Sequence, residues 1–439
     1  MKKYLKVFFV GILVLSMLIA CSKPNSNGNE GKGNDEGKGS GNEVEELKPE
    51  EGASLILWDN ADAEQEWAKY VAEEFEKKYG VPVEVQHVNH TDSATKLKTD
   101  GPAGLGADVF NAAHDHLGAL VTGGLILPNL VSNLDEYKND FIQPALDAVS
   151  YTTDGESKLY GFPIAMETYA LYYNKDLVDQ PATTWDELIA QSKEFQKDST
   201  KAKPKYGFMY EVANFYYVHA FLSGYGGYVF GDNNTDPTDL GLNNEGAVKA
   251  GQFLQKIHNE ILPMKKEDIS ADLIGQFFKD GQLLYTISGP WSIADYKDAG
   301  VNFGVVPLPK LENGEVPNSF SGVKAYYVNA YSKYPKAATL LAQFASSEEM
   351  LMKRFEMTGQ IPPQKALLES DAVQSDEYVK AFSEQLQHST PMPNIPAMPA
   401  VWGPMEAAFT TIWNENADPK AALDSATKQI EDAIKSQSE

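Results

Sequence analysis

The stretch Ser54-Leu55-Ile56-Leu57-Trp58-Asp59-Asn60-Ala61-Asp62, together with the helical stripe after it, decides the fold. Ser54 to Trp58 is a short apolar strand, and Trp67, Val71, Phe75 and Tyr79 then recur every four residues, the stripe of a helix packed on one face. Asp62 and Gln65 have the spacing of a capping box at its start, while Gly80 and Pro82 stop it. Val81, Val83 and Val85 alternate as a second strand. Working outward, strands are expected at 107–110, 159–164, 169–173, 283–288, 303–306 and 325–328. Helical pattern runs from about Asp115 to Leu120 and recurs at 245–259, 335–347, 376–387, 404–416 and 419–436. A further helix opens on the capping box Thr184-Trp185-Asp186-Glu187. Early strand–helix alternation and then a helical C-terminus predict an α/β protein whose sheets are covered by helices on both faces.

The chain has 439 residues, enough for two or three domains or one bilobed body. Lys and Arg number 37 against 62 Asp and Glu, a formal charge of −25. That balance argues against nucleic acid, whose phosphates are held by clustered cations. Aromatic residues make up 11% of the chain, too many to leave solvated, so the body folds. A single cysteine, Cys21, excludes an internal disulfide framework and cysteine-based zinc or iron–sulfur sites.

Lys2, Lys3 and Lys6 precede the apolar run Val7 to Ile19, which is too short to span a bilayer as a helix and reads as a signal-peptide core over residues 1–20. Leu18-Ile19-Ala20-Cys21 resembles the lipobox of bacterial lipoproteins, which implies cleavage before Cys21 and lipid on its sulfur. Residues 21–52 are mostly Gly, Asn, Lys, Glu and Ser. They are expected to form a flexible tether with a reach of roughly 30 Å.

Trp291 comes directly after Gly289-Pro290 at the end of an expected strand, on a loop facing a cleft. Five prolines from Pro391 to Pro404 predict an irregular rigid loop that exposes Trp402. Flat rings such as Tyr216, Trp291 and Trp402 suit the apolar C–H face of a sugar, and carboxylates and amides suit its hydroxyl rim. Asp62, Asp115 and Glu167 each fall at or just after the C-terminal end of an expected strand, where open α/β sheets bind ligands. Paired carboxylates also leave a glycoside hydrolase open. No serine-nucleophile turn, phosphate loop or zinc-protease motif occurs, and Gly101-Pro102-Ala103-Gly104-Leu105-Gly106 lacks dinucleotide-binding spacing. His114, His116, His87 and His90 show no metal-ligand spacing, so no metal and no cofactor is expected.

Taken together, Leu57 to Asp62, Ala113-His114-Asp115, Pro163 to Glu167, Tyr173 to Leu177, Gly226-Gly227-Tyr228, Ser288-Gly289-Pro290-Trp291 and Met392-Pro393-Asn394-Ile395-Pro396 resemble the maltose/maltodextrin-binding proteins, extracytoplasmic receptors of ATP-driven sugar importers. The resemblance implies a two-lobe, type II periplasmic-binding-protein-like fold with the sugar between lobes. Lobe 1 would be 53–167 with 324–372, and lobe 2 would be 168–323 with 373–439. Crossings are implied near 165–170, 321–326 and 371–378. It implies Asp62, Asp115 and Glu167 as hydroxyl-binding carboxylates, Asn60 and His116 as polar neighbours, and Tyr216, Trp291 and Trp402 as stacking platforms. Ala63, Ala112, His116, Gly403 and Glu406 depart from the periplasmic receptors, which carry basic or aromatic residues there. The implied protein is a monomeric, non-enzymatic receptor for α-1,4-glucans, held by lipid on Cys21 at the outer face of the membrane and serving a permease with its ATPase. A receptor for another oligosaccharide, such as cyclodextrin, remains the alternative.

Overall fold

The computed structural model describes residues 47–153 and 155–438; the signal segment, Cys21 and most of the expected tether lie outside them. Thirteen strands occur among the described residues: β1 Leu55–Asp59, β2 Val83–His87, β3 Val109–Ala113, β4 Ser150–Thr153, β5 Glu156–Leu159, β6 Phe162–Glu167, β7 Ala170–Asn174, β8 Tyr206–Met209, β9 Asp236–Leu240, β10 Leu283–Ser288, β11 Phe303–Val306, β12 Ser319–Val328 and β13 Ser389–Pro391. A six-stranded sheet has the order β13-β12-β3-β1-β2, with β6 also on β12, and a four-stranded sheet has the order β11-β7-β10-β8. β1 is parallel to both β2 and β3, whereas β12 runs antiparallel to β3 and β6.

Each sheet has its own apolar core. Leu55, Leu57, Trp67, Phe75, Phe110, Ile164, Tyr326 and Leu341 belong to the first. Trp185, Phe208, Phe221, Leu254, Tyr285, Phe409 and Trp413 belong to the second. Apart from Ile361, the chain passes from first core to second between Ile164 and Tyr169, back between Phe320 and Val323, and out again between Leu367 and Tyr378.

Sequence and structure part company at four places. The helix after β1 spans Asp62–Tyr79, but its N-cap is Ala61 and no side chain caps it, so the Asp62–Gln65 box does not form. Asp62 is already the first helical residue and takes a left-handed φ of 58°. The strand expected at 159–164 divides at Tyr160-Gly161 into the end of β5 and the start of β6. Residues 47–52, assigned to the tether by composition, are engaged instead. Leu47 packs on the first core, and the Glu50 carboxylate accepts the backbone N–H groups of Lys336 and Ala337 at 2.9 Å each, capping the helix Pro335–Ala345. Finally, Trp402 sits in the helix Pro399–Glu415, not in a loop. Pro399 occupies the first turn, where no N–H is needed. Pro404 forfeits one backbone bond, which the burial of Val401, Met405, Phe409, Ile412 and Trp413 offsets. The capping box at Thr184 forms as expected.

One buried histidine makes a pH prediction. His219, in the helix Phe215–Gly224, stacks on Phe320 with ring centroids 3.5 Å apart, and burial pushes its pKa down to about 3. Below about pH 6.5 the unfolded chain binds a proton there that the fold refuses, so stability falls as pH drops from about 6.5 toward 3. At pH 5 this site alone costs about 2 kcal/mol. His219→Gln is expected to flatten the fall in melting temperature between pH 7 and 5; an unchanged slope would contradict it.

Candidate functional site

A cleft of about 960 Å³ is lined by Asn60, Asp62, Asp115, His116, Glu167, Tyr216, Trp291 and Trp402, so all eight residues singled out from sequence converge on it. They come from different halves. Asn60 and Asp62 lie just past β1, Asp115 and His116 past β3 in a short 3-10 turn, and Glu167 ends β6, all at the C-terminal ends of strands of the first sheet. The rings of Tyr216, Trp291 and Trp402 pack against the second core.

Local chemistry fixes each ring. Tyr216 lies in the first turn of its helix, where the Asn214 carboxamide oxygen accepts the Tyr216 N–H at 3.1 Å. Just before it, Ala213 is held at a φ of 63°, the one residue among the described positive-φ non-glycines that is neither Asp nor Asn. That conformation costs on the order of 1 kcal/mol. Trp291 folds over its own backbone: a side chain at Gly289 would place its Cβ 2.1 Å from the indole ring. The Tyr216 and Trp291 ring centroids are 6.4 Å apart. Trp402 meets Phe215 and Phe320 edge-on at 5.9 Å each. Its Nε1–H donates to Asp115 Oδ2 at 3.2 Å, bridging the two halves.

Beneath the carboxylates lies a charge network that sequence reasoning missed. Glu64 Oε1 is 2.9 Å from Lys324 Nζ, and Arg354 Nη2 donates to Glu64 Oε2 at 2.7 Å. Lys324 Nζ also lies 3.1 Å from Glu167 Oε1, which accepts Gln360 Nε2–H at 2.8 Å as well. Asn60 Nδ2 donates to Glu64 Oε2 at 3.0 Å. Burial alone would raise Glu64, but Lys324 and Arg354 outweigh it and hold the carboxyl well below its usual range. Glu167 is pushed up instead, by burial first and by the Glu64 charge, against the pull of Lys324. Burial likewise raises Asp59, which accepts hydrogen bonds from Asn111 and Tyr326.

His114, a metal-ligand type by its side chain, serves the backbone: its Nδ1 accepts the Val323 N–H at 3.1 Å, so Nε2–H donates to the Met392 carbonyl at 2.9 Å. Among the described residues no group of three or more His, Cys, Asp or Glu could hold a metal ion. Glu406 lines the cleft and pairs with Lys266 at 2.7 Å. No helix of the described residues is long and apolar enough to cross a membrane.

Known proteins share this architecture. The family described as bacterial extracellular solute-binding protein matches residues 70–381. The galactooligosaccharide-binding protein of Bacillus subtilis is 36% identical over 397 residues, covering 88% of this chain and 90% of its own length. The maltodextrin-binding protein of the same organism is 34% identical over 375 residues, covering 84% and 88%. The crystal structure of a cyclo/maltodextrin-binding protein complexed with maltotetraose superposes with a TM-score of 0.70 at 41% identity, over 87% of this chain and 97% of that one.

Proposed function

This chain belongs to the bacterial extracellular solute-binding protein family, and on that premise we propose that it is the receptor of an importer for neutral oligosaccharides, maltodextrins first among them. The observation that carries the reading is the pairing of surfaces across the cleft: Asn60, Asp62, Asp115 and Glu167 of the first half face three flat rings of the second, which also lends Asn214, Asp272 and Glu406 to the lining. A pyranose presents both surfaces at once, hydroxyl rim and C–H face. Asn60, Asp62, Asp115, His116 and Glu167 are the hydroxyl partners, and Tyr216, Trp291 and Trp402 the platforms. Asp62, at a left-handed φ, lines that cleft, and Ala213, also at a positive φ, directly precedes the lining residue Asn214; backbone strain concentrates at ligand clamps.

The two cores act as lobes hinged where the chain crosses between them. A sugar touching both favours the closed state; reversing a population from 1:99 to 99:1 takes about 5.5 kcal/mol of differential affinity, within reach of three rings and several charge-assisted bonds. The protein works as a monomer, anchored through lipid on Cys21 outside the membrane, and delivers its sugar to an ABC permease. In this reading it binds without cleaving, which the engagement of Glu167 supports: its carboxylate shares one buried ammonium group with Glu64 rather than standing free as an acid or nucleophile.

A second reading, a receptor for galacto-oligosaccharides, is favoured by the 36% identical Bacillus subtilis protein. Calorimetry of the pure protein against maltotriose, maltohexaose, α-cyclodextrin and β-1,4-galactotriose decides between them. Tightest binding to a linear malto-oligomer, recovered uncleaved, is the expected outcome. Tightest binding to galactotriose would replace it with the second reading, and protein-dependent shortening of maltohexaose would contradict the non-enzymatic role.

A further inference from the structure

We propose that Lys324 is itself a sugar-contacting residue, an inference that rests on the receptor reading above. Lys324 lies in β12 beside Ala113, the last residue of β3, and lines the cleft next to Glu167. Its side chain is 4% exposed, and its ammonium carries three N–H donors. It donates to Glu64 Oε1 at 2.9 Å and forms an ion pair with Glu167 Oε1 at 3.1 Å, which together account for two of the three. The third meets no protein acceptor among the described residues.

Glu167 is the complement. Gln360 Nε2–H donates to its Oε1 and Lys324 Nζ pairs with the same oxygen at 3.1 Å, while Oε2 takes no hydrogen bond from the described residues. One donor and one acceptor therefore stand side by side at the cleft wall. Two neighbouring hydroxyls of a pyranose match that pair, one accepting from Lys324 and the other donating to Glu167 Oε2. The network behind it holds the pair in place before any ligand arrives, because Glu64 is tied by Arg354 and Asn60 on its far oxygen. The other lysine lining the cleft, Lys279, is engaged by Asp295 at 3.0 Å.

Three variants test this by calorimetry with maltotriose and with β-1,4-galactotriose, alongside thermal unfolding. Lys324→Met should weaken binding of the sugar that the wild type prefers at least tenfold. The combined variant D59N/K324M restores the charge balance of the buried cluster at a residue that does not line the cleft; it should melt closer to the wild type yet bind as weakly as Lys324→Met. Lys324→Gln keeps an N–H donor and should bind between wild type and Met. Affinity recovered to within twofold of wild type in D59N/K324M, or Gln binding no better than Met, would overturn the assignment and leave Lys324 a counter-charge. A wild type that binds neither sugar would overturn the receptor reading and this inference with it.

Discussion

Trp291→Ala is expected to lower maltotriose affinity at least tenfold while the far-ultraviolet circular dichroism spectrum stays that of the wild type. The indole stands half-buried at the cleft wall, fixed by the tight Gly289 turn beneath it and facing Tyr216. Removing one ring face from a bound pyranose forfeits apolar burial on the order of 2 kcal/mol, and tenfold in affinity is about 1.4 kcal/mol. The fold is spared because Trp291 touches the second core only along its margin. Trp402→Ala should lose as much or more, since it removes a platform and also the N–H that Asp115 accepts. Trp402→Phe separates the two roles by keeping a face and deleting the donor. Unchanged calorimetric affinity in both alanine variants would reject the rings as platforms.

The second large effect is on stability. Arg354→Met should destabilise the protein by about 3–5 kcal/mol, the usual cost of removing one member of a buried ion pair. Arg354 is 1% exposed, lies over the Trp67 ring at 4.3 Å and neutralises Glu64. Asp59, Glu64 and Glu167 then share a single buried cation, Lys324. The double change Glu64→Gln with Arg354→Met removes both charges and should cost less than Arg354→Met alone. Urea midpoints measure this, and a single variant as stable as the wild type would contradict it.

These two effects sit on opposite sides of what the sequence discloses. The carboxylates and Trp291 are legible because each lies in a short contiguous segment, after a strand or a glycine–proline turn, and local order is what a sequence displays. Glu64, Lys324, Arg354 and Gln360 are not, because they meet across as many as 296 positions of chain. A glutamate in a first helical turn and an arginine in a helix are ordinarily solvated faces, and nothing local marks them as buried. Trp402 illustrates a different failure. Proline density reads as loop, but two of the prolines occupy the opening turns of a helix whose apolar face the second core buries, and tertiary packing outweighs the local signal. Asp62 shows a third. Its spacing to Gln65 fits a cap, yet the helix begins one residue earlier, and the side chain lines the cleft.

Behind the binding predictions stands closure: the carboxylates of the first half and the rings of the second embrace a single saccharide when the halves come together. Small-angle X-ray scattering with and without saturating maltohexaose tests this most directly. A smaller radius of gyration in the liganded protein is the predicted result. Superimposable curves, at a sugar concentration that calorimetry shows to be saturating, would contradict it.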